Sequence, residues 1–424
     1  MNKARAIARW ISFLLLFAAG QVCAELQVQI SQGVEGAIPV AVVPFANQGS
    51  LSESLSQIVS ADLQRSGRFR TLAESAMRER PTAPDQIQQA VWQSLGQDFV
   101  VVGQVQPAGG DYEADFHVVD VIRGTLVISY KLPFGRAGTR QAAHRIADVI
   151  YKAITGEPGA FATRVAYVTV TGEGGNRRYN LQVADTDGYN PQSVIVSNEP
   201  IMSPAWSPDG TKIAYVSFES RRSAIYVQTL ATGERRKVSD TPGINGAPAF
   251  SPDGSRLALT LSKDGNPDIY VMNLGSGGLT KITDYSGIDT EPNWSRDGRS
   301  IVFTSDRGGK PQLYLVSAGG GPAERLTYEG DYNARGVFSP DGRSLAMVHG
   351  KGGDYRIAVM DLASRAVRVL TNGPLDESPG FAPNGSMILY AARRGQLAAV
   401  SIDGKVRQSL QIEGGAVREP AWSP

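Results

Sequence analysis

At 424 residues the chain is longer than one hydrophobic core usually organises, so two or more domains are expected. Its 42% hydrophobic and 20% charged residues are those of an ordinary globular protein and exclude a disordered, collagen-like or multi-span membrane chain. The formal net charge of +1 gives no basic surplus of the kind that nucleic-acid binding needs.

Residues 1–24 read as a secretory leader. Lys3, Arg5 and Arg9 form a basic start, residues 11–19 an apolar stretch, and Val22-Cys23-Ala24 a small-residue cleavage site. The apolar run is about nine residues, half of what spans a bilayer. Val22 stands where a lipidated cysteine needs a small residue, which disfavours a lipoprotein. Cleavage after Ala24 would leave no cysteine, so neither disulfides nor thiolate chemistry are expected.

Residues 25–158 are expected to form an α/β domain of two layers. It begins with an alternating stretch, Glu25, Leu26, Gln27, Val28, Gln29 and Ile30, followed by Gly33 and Gly36. That pattern suits an extended arm, residues 25–33, able to pair with the edge of a partner's sheet. A buried strand follows at Ile38 to Phe45. Leu51, Leu55, Ile58, Val59 and Leu63 then share one helical face that ends at Gly67. Ile87, Ala90, Val91 and Leu95 repeat the device before Gly96. Strands are expected over residues 99–106, 111–121 and 126–131, and a helix over 140–155 turns Ile146, Val149, Ile150 and Ile154 inward. The linker is Gly156-Glu-Pro-Gly159, rich in structure breakers.

From residue 159 onward the chain repeats itself. Pro204-Ala-Trp206-Ser-Pro-Asp-Gly210 recurs at Pro248 and Pro292, each time 44 residues on, and then with changes at Gly336, Pro379 and Pro420, where the chain stops inside the sixth copy. A period of this size signals a propeller or solenoid. The aromatic ends a short buried strand, and Pro with Asp-Gly supplies a tight hairpin. Alternating strands such as 212–217, 224–228 and 235–239 complete a four-stranded blade. The sixth phrase has no strand after it, whereas residues 164–169 are a second strand with no phrase before it. The C-terminal strand is therefore expected to complete the first blade, closing a six-bladed β-propeller without open edges. Such a ring gives no reason to oligomerise, so a monomer is expected.

An enzyme is not expected. There is no G-x-S-x-G and no segment left for a hydrolase domain. His117, His144 and His349 are the only imidazoles; two lie in the small domain and one on a propeller strand, too scattered for a triad or for a propeller-borne metal lyase. No phosphate-binding loop is present. Asp209, Asp253, Asp297 and Asp341 recur at one turn position and are read as bonding their own turn backbone. No cofactor is expected, the one opening being calcium: Asp289, Glu291, Asp376, Glu377 and Glu419, at the starts of the first strands, are hard oxygen donors at the channel mouth.

What varies between repeats is the loop before each phrase. These loops hold Met202, Ser203, Asn245, Ala247, Thr290, Glu291, Arg335, Glu377 and Arg418. All must emerge on one face of the disc, and divergent loops on a repeating scaffold are where binding is expected.

The chain resembles the TolB family, the periplasmic component of the Tol–Pal system of Gram-negative bacteria. The resemblance rests on Pro39-Val-Ala-Val-Val-Pro-Phe45, Val100-Val-Val-Gly-Gln-Val105, Asp187-Gly-Tyr-Asn190, Met202-Ser-Pro-Ala-Trp-Ser-Pro-Asp-Gly210 and Asn245-Gly-Ala-Pro-Ala-Phe-Ser-Pro-Asp-Gly254, and it covers the whole chain after the leader. It implies that the loop face binds the peptidoglycan-associated lipoprotein Pal, with Ala247 and Thr290 among the contacts and Asn245 and Glu291 beside them. The family often has histidine where this chain has Ile244. The resemblance also implies that the arm pairs with the C-terminal domain of TolA, that the protein relays between TolA and Pal to support outer-membrane integrity and constriction at division, and that bacteriocins exploit the same surface.

Overall fold

The computed structural model describes residues 28–32, 36–410, 412 and 415–424. Glu25, Leu26, Gln27 and Gly33 of the expected arm lie outside the described residues.

The α/β domain is built on a five-stranded sheet in the order β3-β2-β4-β5-β6, from β2 (Ile38–Val42), β3 (Phe69–Thr71), β4 (Phe99–Ala108), β5 (Asp111–Asp120) and β6 (Thr125–Phe134). β2 runs parallel to β3 and β4, and β4, β5 and β6 form an antiparallel meander. Helices α1 (Leu55–Arg65) and α3 (Thr139–Thr155) cover one face. The Ser54 hydroxyl caps α1 by accepting the Gln57 N–H, and Gly156, at φ 80°, closes α3. Leu55, Val59 and Leu63 of α1 and Ile146 and Ile150 of α3 are fully buried against Val40, Phe116 and Val118. The short α2 (Gln89–Ser94) sets Trp92 on the opposite face, adding a partial layer there because Ala41, Val43, Val100 and Val102 also present apolar side chains to that side.

Six four-stranded antiparallel sheets form the propeller. Blades 2 to 5 are contiguous in sequence, their inner strands being Ile201–Trp206, Asn245–Phe250, Asp289–Trp294 and Tyr332–Phe338. Blade 6 starts at Glu377–Phe381. Blade 1 joins both ends of the domain: the C-terminal Ala416–Trp422 is its inner strand, hydrogen-bonded to Arg164–Thr171 and followed by Arg178–Asp185 and Gln192–Ser197. The ring is tied at the seam. The Arg164 N–H donates to the Ser423 hydroxyl, and Trp206 of blade 2 donates to the Ala421 carbonyl of blade 1 at 3.1 Å. Trp294 makes the equivalent bond to Ala249 at 3.0 Å, so the repeated aromatic both fills the space between blades and satisfies its indole N–H. The turn aspartates behave as expected: each accepts from the serine two residues earlier and the backbone N–H two residues later, as Asp253 does at 2.6 and 3.0 Å.

Strand β1 (Val28–Gln32) adds a fifth strand to blade 6, pairing antiparallel with Arg407–Leu410. The described part of the arm thus lies on the propeller, not in the small domain's sheet. It covers the outer edge of blade 6, a blade that also touches α1, where Gln408 donates to the Arg65 carbonyl.

Candidate functional site

Each of the six inner strands breaks register within its first three residues. At the break stands a residue with left-handed backbone: Ser203, Ala247, Glu291, Arg335, Ser378 and Glu419, with φ between 44° and 57°. For non-glycine residues this costs on the order of 1 kcal/mol each. The same bulge, repeated around the ring, turns one side chain per blade toward the channel.

Four of these side chains are bonded together. Arg335 Nε donates to Glu291 at 2.8 Å, its Nη1 and Nη2 donate to the two oxygens of Glu419 at 2.9 and 3.0 Å, and Nη1 also reaches the Ser378 hydroxyl. The free oxygen of Glu291 accepts from the Arg335 backbone N–H at 3.0 Å and the Thr304 hydroxyl at 2.9 Å. Burial opposes the charge on Arg335, but Glu419 and Glu291 outweigh it and raise its pKa; burial likewise pushes Glu419 up, and the guanidinium pulls it below its ordinary value. The result is a polar bar across the channel. Beyond it a cavity of about 510 Å³ is walled by the inner strands, with Trp206, Phe250, Phe338, Phe381 and Trp422 among its lining.

The nine residues expected on the loop face divide into three groups. Met202, Glu377 and Arg418 are exposed, and Thr290 is half-buried with its hydroxyl 3.3 Å from that of Thr260. Ser203, Ala247, Glu291 and Arg335 belong to the bulge ring and line the channel wall. Asn245 is fully buried, which corrects its placement as a surface contact. Its side chain accepts from the Ser239 hydroxyl and the Thr241 N–H and donates to the carbonyls of Thr241 and Gly243, so it holds the loop that precedes its blade. Asp289 and Asn333, 44 and 88 residues on, occupy the same buried position. A polar residue recurring at the repeat period was the sign that it serves the scaffold.

Sequence reasoning named Met202 but passed over the rest of the apolar rim. Ile244 and Ile288 are each 49% exposed, Leu375 is 55% and Met202 39% exposed. Each lies at or just before the start of an inner strand, so all four share the loop face. Their signal was available: Ile244 and Ile288 precede Asn245 and Asp289 at the repeat spacing, yet neither fills a core.

The acidic residues suggested for calcium are largely committed. Glu291 and Glu419 bind Arg335, and Asp289 binds Arg307 at 2.6 Å. A cation held by these three would have to displace a guanidinium. The histidines also have separate partners: His117 faces Asp115, His144 bonds Asp62, and His349 bonds Asn333, with burial lowering its pKa.

A family model described as the TolB amino-terminal domain matches residues 26–127, and one described as the TolB beta propeller domain matches residues 151–424. The chain is 95% identical over 424 residues to the Tol-Pal system protein TolB of Methylococcus capsulatus, covering all of both chains. The chain belongs to the TolB family. The protein of the same name from Thioalkalivibrio sulfidiphilus is 60% identical, with 97% of each chain covered. Among solved structures, TolB from Acinetobacter baumannii matches with a TM-score of 0.88 and 44% identity, over 94% of this chain and all of that one. This TolB-family chain thus has a propeller fold, and its relatives are named as Tol-Pal system proteins. Among the described residues no helix is long and apolar enough to cross a membrane.

Proposed function

We propose that this protein is a periplasmic, non-catalytic binding hub that joins TolA to the peptidoglycan-associated lipoprotein Pal, exported by cleavage of its leader. Pal docks on the loop face, and the arm serves the C-terminal domain of TolA. The observation that carries the reading is the rim of exposed apolar side chains, Met202, Ile244, Ile288 and Leu375, around a channel mouth barred by Arg335. Exposed apolar side chains gathered at one rigid mouth, bordered by the charges of Glu377 and Arg418, fit the anchor-and-rim pattern of a protein interface. The pairing of β1 with blade 6 supports the second half, because a strand held only at a sheet edge can exchange that edge for a partner's. Support of outer-membrane integrity and of constriction at division, and use of the same face by bacteriocins, follow from that role.

The test is a calorimetric titration of the mature protein with the soluble domain of Pal, with and without residues 25–33. Saturable 1:1 binding is expected. Ala247→Arg or Thr290→Arg should weaken it at least tenfold with the fold intact, since about 1.4 kcal/mol is one decade of affinity. Undiminished binding in both variants would remove the loop face from the reading, and unchanged affinity on deleting the arm would uncouple the two sites.

A further inference from the structure

Where α1 and α3 meet the propeller, the two domains share a buried cluster of charges centred on His144. The imidazole is fully buried. Its Nδ1 lies 2.6 Å from Asp62 of α1, and its Nε2 lies 3.7 Å from Asp187, in the turn after the third strand of blade 1. Asp62 and Asp187 are also buried. Arg140 of α3 reaches across the boundary as well, donating to Asp187 at 2.6 Å and to Glu53 at 2.5 Å while stacking 4.0 Å over the Tyr189 ring. Arg65 bonds Asp62 and stands 3.6 Å from Asp187. Asp62, His144 and Asp187 bring three ligand atoms close together, but with guanidiniums seated on both carboxylates the cluster is an ion-pair network and not a metal centre.

The network lacks a charge unless His144 is protonated. Asp62, Asp187 and Glu53 face two guanidiniums, and Asp185 and Asp148 add carboxylates at the margin, with Arg164 beyond Asp185. Nε2 is buried with no hydrogen bond. In the neutral ring with its proton on Nδ1, Nε2 presents a lone pair to Asp187; in the imidazolium it presents an N–H. We propose that the domain boundary is a proton-operated lock, in which the imidazolium of His144 joins Asp62 of the α/β domain to Asp187 of the propeller and loss of its proton loosens the two domains from each other.

The direction of the response is set by the surroundings. Burial works against the charged ring, but the hydrogen bond it donates to Asp62 and the fields of Asp62 and Asp187 overcome it, so the pKa of His144 is raised above its ordinary value. A raised pKa in the docked state means that the contribution is fully present at low pH and is lost as pH rises through the docked-state value. Asp148, one helical turn on, accepts the N–H groups of Phe161 and Ala162 just past the linker at 2.8 and 3.1 Å. Burial holds its pKa up at about 6, so the cost of its ionised form sets in below that value and is almost complete above it, leaving His144 as the group that responds at neutral and alkaline pH.

The test uses the mature protein with spin labels on exposed positions of the two domains, Ser94→Cys and Ser364→Cys, and reads the distance distribution by electron–electron resonance from pH 5.5 to 9. One narrow distance is expected at the acid end, with a second population that grows by up to about tenfold per pH unit for each proton released. With three histidines in the chain, the His144 resonance can be followed in parallel and should titrate with the second population. His144→Gln should abolish that dependence. Should this variant not fold, Asp187→Asn, outside the small domain's core, should move the midpoint to lower pH. A wild-type distribution constant over the whole range, a glutamine variant that titrates like wild type, or an Asp187→Asn midpoint that does not move would each overturn the lock.

Discussion

Replacing Arg335 by Met tests whether the bar across the channel stabilises the ring. The substitution keeps much of the side chain's volume but removes three bonds to Glu291 and Glu419 and one to Ser378. Breaking a fully buried ion pair by deleting one partner costs about 3–5 kcal/mol, because the other charge is left uncompensated. Here Arg335, Glu291 and Glu419 keep side-chain exposures of 27%, 23% and 13%, and partial solvent screening brings the expected loss to about 2–3 kcal/mol at pH 7. Denaturant unfolding followed by tryptophan fluorescence would measure it, since Trp206 and Trp422 line the cavity beside the bar. The loss should shrink with acid. In the wild type Glu419 has a lowered pKa, so its contribution is present above the ordinary glutamate range and fades as pH falls. In the variant, burial acts on Glu419 without the guanidinium to offset it, and protonation relieves the strain. Adding Glu419→Gln to the variant should recover about 1 kcal/mol. A variant within 0.5 kcal/mol of wild type at pH 7, or one with the same deficit at pH 4.5, would refute the reasoning.

Two further outcomes follow from the ring's construction. Deleting residues 416–424 removes the inner strand of blade 1 and the Ser423 and Ala421 contacts at the seam; the truncated chain should lose its cooperative thermal transition and aggregate, by calorimetry and size-exclusion chromatography, whereas an unchanged melting temperature would deny that closure holds the ring. Asp253→Ala should cost about 1 kcal/mol through its lost turn bonds, and because bonds from Ser251 and Ser255 hold the Asp253 carboxyl at about 2, the deficit should vanish as pH falls from about 4 toward 2, as urea unfolding at stepped pH would show.

The sequence was explicit where physics is local or periodic. The helical face of Leu55, Ile58, Val59 and Leu63, the Pro-Asp-Gly hairpins and the 44-residue spacing each record a requirement that a few neighbouring residues meet together, and the unmatched strand at each end of the propeller dictated its closure. The same spacing placed the loops on one face. It did not say which loop residues face out, because a β-bulge reverses the side-chain alternation: Ser203, Ala247, Glu291 and Arg335 turned to the channel wall, Asn245 went inside, and Ile244 and Ile288 were left at the surface. The arm's own alternation foretold a strand but not its partner, which edge pairing with Arg407–Leu410 decided. His144 and Asp187 are 43 residues apart in sequence, and nothing in either segment marks them as neighbours. Only the docking of α1 and α3 against blade 1 brings them together, and only removal of water from that boundary makes a proton there matter.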